Sequence, residues 1–205
     1  MVAPLGAATA RAQFERPATL NAPLFRSLLE RIDKKQRIVV LDLGAVHAGT
    51  IATFVSYRCR LEFADLAEGL EKIQAAKFPA LLDELVAGLL PPPGAEPTDI
   101  VLAWDLLNYL ERPALTALMA GIAERLRPGA LVHALIVYSD SRMPTRPAAF
   151  VPLEDQQLQD LSADRGPERP APRYSPEDLS RCMPAFKIER GRLLSNGMQE
   201  FLFRL

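Results

Sequence analysis

Apolar residues recur along this chain in two rhythms. Ile38-Val39-Val40-Leu41 and Ile100-Val101-Leu102-Ala103 are unbroken runs, and residues 130–138 hold a third with Leu131, Val132, Ala134, Leu135, Ile136 and Val137. Short runs rich in β-branched residues predict strands buried on both faces of a parallel sheet. A shorter strand is expected at 60–64, closed by Asp65. Between the runs the spacing changes to threes and fours. Leu24, Leu28 and Ile32 precede the first run, and Ile51, Phe54 and Val55 follow it. Leu66, Leu70 and Ile73 come next, then a dense stripe from Phe78 through Leu82, Val86 and Leu90, and finally Leu115, Leu118, Met119, Ile122 and Leu126. These predict helices over 24–32, 50–58, 66 onward, 78–90 and 114–126.

The connections carry their own signals. Pro91-Pro92-Pro93-Gly94 stops the fourth helix, and Arg127-Pro128-Gly129 predicts a turn before the strand at 130–138. Residues 139–173 are rich in Pro, Arg and Asp and read as one long loop. Ser175-Pro176-Glu177-Asp178 opens a further helix with a capping box. Asn196-Gly197 between two apolar runs predicts a terminal hairpin. Residues 1–22 lack strong periodicity and read as a flexible arm, leaving 23–205 as a single domain. Strands alternating with helices, then a hairpin, give an α/β fold: a three-layer α/β/α sandwich on a mostly parallel sheet with a C-terminal antiparallel hairpin.

Composition narrows the partners. The 205 residues include 24 basic and 25 acidic side chains, a formal net charge of -1. So even a balance gives no broad basic face for nucleic acid or an anionic membrane. Cys59 and Cys182 lie outside any paired spacing, and no run is apolar enough for a membrane span, so a cytoplasmic protein is expected.

In open parallel sheets ligands sit beyond the carboxyl ends of the strands. Asp42 to Gly49, Asp65, Trp104-Asp105 and Tyr138 fall there. Val40-Leu41-Asp42-Leu43-Gly44 resembles the first motif of S-adenosylmethionine-dependent methyltransferases of class I, with their Rossmann-like fold. Asp65 matches the acid ending that family's second strand, residues 98–104 its fourth strand, Leu126-Arg127-Pro128-Gly129-Ala130 the turn before its fifth, and the hairpin its last two. The resemblance implies S-adenosylmethionine as cofactor. Asp42, Gly44 and Val46 would line the loop beside its methionine portion, Asp65 would take the ribose hydroxyls, and Trp104 would mark the boundary with substrate. Asp105, Asn108, Tyr109 and Tyr138 would face a small-molecule or protein acceptor.

The family's loop reads acid-x-Gly-x-Gly-x-Gly, whereas here the second and third glycine positions are Val46 and Ala48. The helical stripe 78–90 occupies the region of the family's third strand. Two functions therefore stand side by side: a methyltransferase, or a non-catalytic relative kept as a binding or assembly module. A dinucleotide-binding protein ranks below both, since Gly-x-Gly-x-x-Gly is absent. Structural roles compete at single residues. Asp65 would cap a helix, Asp42 orient its loop, Trp104 fill core and His133 pack in a strand, while His47 has too few companions for zinc. The segment 139–173 is left as a substrate lid, a partner-docking segment or solvated chain.

Overall fold

The computed structural model describes residues 18–75, 79–155, 157–162 and 166–205. In chain order the elements are β1 (Thr19–Leu20), α1 (Pro23–Glu30), β2 (Ile38–Asp42), α2 (Ala48–Phe54) and β3 (Cys59–Phe63). A 3₁₀ turn (Leu66–Glu68), α3 (Leu70–Ala75), α4 (Pro79–Leu89) and β4 (Thr98–Trp104) follow. After a second 3₁₀ turn (Leu106–Tyr109) come α5 (Arg112–Ala123) and β5 (Leu126–Val137). Four short strands come next: β6 (Arg142–Pro144), β7 (Phe150–Pro152), β8 (Leu158–Asp160) and β9 (Glu168–Pro170). The chain closes with α6 (Pro176–Cys182), β10 (Lys187–Leu193) and β11 (Met198–Arg204).

The central sheet has six strands in the order β10-β11-β5-β4-β2-β3. β3, β2, β4 and β5 are parallel, while β11 runs antiparallel to both β5 and β10. Side chains alternate across a strand, so neighbours feed opposite cores. Leu41 and Val101 join Leu66, Ile73, Leu115 and Tyr174 on one face. Val40 and Leu102 join Phe25, Leu28, Phe54 and Trp104 on the other. This alternation makes three layers.

α1 shows how the layers are fastened. Its N-cap, Ala22, offers no side-chain acceptor, and Pro23 occupies the first turn. The missing cap comes from the sheet: Glu200 of β11 accepts the Leu24 N–H at 2.9 Å and the Phe25 N–H at 2.7 Å. A carboxylate at a helix N-terminus meets both orphan donors and the positive end of the dipole. His133 of β5 lies 2.9 Å from the same carboxylate, and both side chains are fully buried.

Three expectations are corrected. Pro128-Gly129 does not separate turn from strand but lies inside β5. Leu126 pairs with Thr98 and Leu131 with Ile100, so the extra residues bulge out with Gly129 at φ +84°. Residues 139–173 are not one irregular loop. β7 and β8 form a small sheet with β1, and β6 pairs with β9. Residues 18–22 are correspondingly docked, with Leu20 and Ala22 buried, while residues 1–17 of the expected arm lie outside the described residues. Between β3 and β4 the described residues contain helix only, so no third strand covers β3; Phe78 of that stripe lies outside them. The capping box at Ser175 and Asp178 and the hairpin at Gly197, with φ +81°, stand as expected.

Candidate functional site

The carboxyl ends of β2, β3 and β4 bring Asp42, Gly44, Asp65, Trp104 and Asp105 together. The loops after β2 and β3 are laced by the backbone: the Ala64 N–H donates to Asp42, the Asp65 N–H to Gly44 and the Leu66 N–H to Leu43. Asp42 is buried, and its Oδ1 accepts the Gly44 N–H at 2.8 Å and the Trp104 Nε1–H at 2.6 Å. Burial pushes its carboxyl up to about 6, the two hydrogen bonds opposing part of that rise. A Cβ on Gly44 would come within 3.2 Å of both Asp42 Oδ1 and Trp104 Cδ1. The glycine therefore makes room for the Asp42–Trp104 contact.

Two of these residues adopt left-handed backbone, which non-glycine residues rarely do: Asp65 at φ +45° and Trp104 at φ +48°. Trp104 is buried against Phe25 at 5.8 Å and His133 at 6.0 Å between ring centres. Asp65 stands at the head of the first 3₁₀ turn without making a side-chain cap. Among the described residues its half-buried carboxylate has no hydrogen-bond or ion-pair partner. Capping alone does not explain it.

Asp105 is buried under the segment 147–150. Its Oδ2 accepts the Ala148 N–H at 3.0 Å, and its Oδ1 has no partner. Burial, with Asp160 nearby, pushes its carboxyl up to about 7, against the lowering effect of the Ala148 bond. A cavity of about 90 Å³ lies between Gly44, Ala45, Ala67, Trp104 and Asp105 below and residues 147–150 above. A second hollow, of about 180 Å³, lies against residues 91–98 and contains none of the expected site residues.

The remaining expected residues are placed differently. Val46 is 60 % exposed and does not line the cavity, so it does not obstruct the loop. The Asn108 amide is engaged with backbone. Its Nδ2 donates to the Asp105 and Leu135 carbonyls, and its Oδ1 accepts the Val137 N–H, so its part is to join the second 3₁₀ turn to β5. Tyr109 donates its hydroxyl to the Arg146 carbonyl at 2.6 Å and carries Arg169 over its ring at 5.7 Å. It faces the covering segment. Tyr138 is 45 % exposed at the end of β5. Among the described residues no group of three metal-binding side chains occurs.

Patterning offered a lid here among its alternatives but missed the short strands that build it. Residues 142–155, with the described parts of 157–170, form a strap over the strand ends, held by the Asp105–Ala148 and Tyr109–Arg146 bonds. They are also held by Gly49, where any Cβ would collide with Val151 and come within 2.9 Å of the Pro152 carbonyl. Gly49 lies one place beyond the family's third glycine position, and a glycine at that offset is the residue-level mark of the close approach.

No family model matches the sequence, and no curated protein matches it. Solved structures do. A Pyrococcus horikoshii protein is similar at TM-score 0.52 and 14% identity, covering 88% of this chain and 87% of that one. A Burkholderia thailandensis 1,6-didemethyltoxoflavin-N1-methyltransferase is similar at 0.48 and 19%, covering 89% and 75%. The N-methyltransferase NodS of Bradyrhizobium japonicum is similar at 0.46 and 12%, covering 89% and 85%. At these identities the likeness is one of fold alone. In this fold the ends of β2 and β4 carry Asp42 and Trp104, Asp65 follows β3, and the strap lies over them. No helix among the described residues is long and apolar enough to cross a membrane.

Proposed function

We propose that this chain binds S-adenosylmethionine across the ends of β2, β3 and β4, and transfers its methyl group to a small acceptor when the strap opens. The observation that carries this is Asp65: a left-handed residue beside Gly44 whose carboxylate is engaged with no other side chain or amide among the described residues. Two acceptor oxygens suit a ribose diol, and strained backbone at a strand end is characteristic of binding sites. When bound, the cofactor supplies an electrophilic methyl group; the chain's own contribution is to position the acceptor and exclude water.

The contacts fit this cofactor, but the cavity is too small for it. Its roughly 90 Å³ is far below the ~300–1,000 Å³ of ligand pockets. Binding therefore requires the strap to move. Calorimetric titration with S-adenosylmethionine and S-adenosylhomocysteine is the test. We expect saturable binding, weakened about tenfold or more by Asp65→Asn as a charge-assisted contact is lost. Absence of heat at millimolar ligand overturns the proposal.

A second function, a non-catalytic module on the same fold, is favoured by one specific contact. The Asp42 carboxylate, which the resemblance would aim at the cofactor, is already engaged by the buried Trp104 indole. On that account Asp65→Ala leaves biological function intact while deletion of 142–170 abolishes it.

A further inference from the structure

β3 is an open edge of the central sheet. The Ile38 N–H donates to the Arg58 carbonyl and the Ala64 N–H to the Asp42 carbonyl. Even-numbered residues here thus turn their backbone groups toward β2, and Cys59, Leu61 and Phe63 turn theirs outward. Among the described residues no backbone hydrogen bond reaches that outer side. Exposed edges template a further strand, and proteins blunt them with lysine, proline or bulges. Cys-Arg-Leu-Glu-Phe has no lysine or proline, and its pairing with β2 runs without a register shift.

We propose that β3 pairs antiparallel with β3 of a second copy, about a two-fold axis through Leu61, so that one sheet runs through a homodimer. Antiparallel pairing sets outward-facing residues opposite one another. The choice of register then falls to the charges. With Leu61 opposite the partner's Leu61, Arg60 lies opposite the partner's Glu62, and Glu62 opposite the partner's Arg60. Both contacts are non-hydrogen-bonded pairs, where side chains approach most closely. Sliding by one step of the allowed registers sets Arg60 against the partner's Arg60, and sliding the other way sets Glu62 against the partner's Glu62. Within Cys59–Phe63, only the Leu61-centred register sets unlike charges opposite one another without a like-charge pair at its centre. Arg60 and Glu62 already lie 2.7 Å apart within the strand, so the paired arrangement is a compact alternating cluster.

The flanking surface agrees. α2 packs on β3 and carries Ile51, 45 % exposed, with Val55, 77 % exposed, one turn on at its C-cap. A two-fold axis perpendicular to the sheet keeps both copies of α2 on the same face, where these apolar side chains cover one another.

Sedimentation equilibrium of the full chain, from low to high micromolar, tests the pairing. The wild type is expected to dimerise. Arg60→Glu sets like charges together at two symmetric points and is expected to raise the dissociation constant about tenfold or more. The swap Arg60→Glu/Glu62→Arg restores the opposition and returns the constant close to wild type. Circular dichroism and the unfolding midpoint confirm that each variant is folded; if Arg60→Glu is not, Val55→Asp at the α2 contact takes its place and weakens dimerisation likewise. A wild type that stays monomeric, or a dimer indifferent to both the reversal and Val55→Asp, overturns the proposal.

Discussion

Asp105 is a carboxyl group placed where a charge is poorly solvated. Its carboxyl rises from the ordinary 3.8 to about 7, first by burial, then by Asp160, with the Ala148 N–H opposing. A folded-state value above the unfolded one means that the folded protein holds the proton more tightly. The resulting stabilisation is full below about pH 4 and is lost as pH rises to about 7, amounting to a few kcal/mol. Asp105→Asn removes this dependence. Urea unfolding of both proteins at pH 5 and pH 8 should show the variant gaining on the wild type at the higher pH; an unchanged difference would mean that Asp105 is solvated. Glu200 makes the opposite case, a buried carboxylate that is fully engaged. Glu200→Ala strips the cap from the Leu24 and Phe25 amides and the partner from His133, and should cost about 3–5 kcal/mol in chemical denaturation. The candidate acids Asp42, Asp65 and Asp105 could be found from sequence because they end apolar runs. The Trp104–Asp42 bond could not, since it joins residues 62 positions apart.

The strap is where sequence and structure part most. Its strands β6, β7, β8 and β9 are each three residues long. No alternation can be seen over so short a span, and what orders them is pairing with distant segments, β1 with β8 among them. The long helices and buried strands were readable because each holds its rhythm for several turns or residues. Helix α4 was readable for the same reason, since a helical stripe fills that stretch. Gly49→Ala tests the strap's seat. The new methyl group must displace Val151, which should destabilise the fold by about 1–3 kcal/mol and free the strap for trypsin at Arg146. Val151→Ala added to Gly49→Ala should recover part of both effects, because the two positions share one contact. Equal cleavage in wild type and Gly49→Ala would show that the strap is not held there.

For the whole molecule, closure and ligand binding must be coupled if both use the strand ends. A site open only a fraction of the time binds with an apparent constant weakened by that fraction. Ala148→Pro removes the N–H that Asp105 accepts and leaves Asp42, Gly44 and Asp65 untouched. Losing one buried hydrogen bond from the closed state shifts the balance by about 1 kcal/mol, so S-adenosylhomocysteine should bind roughly fivefold more tightly to the variant. Ionising Asp105 acts in the same direction, since its charge is disfavoured under the strap. Wild-type affinity should therefore rise between pH 6 and pH 8, and the rise should be smaller in Asp105→Asn. A methyltransferase with a strap for a lid shows both effects. A chain that binds the ligand with the same affinity in wild type and Ala148→Pro, at either pH, has a site that the strap does not cover. One that binds nothing even when the strap is loosened has kept the fold without the cofactor, and the Asp42–Trp104 contact would then be the reason.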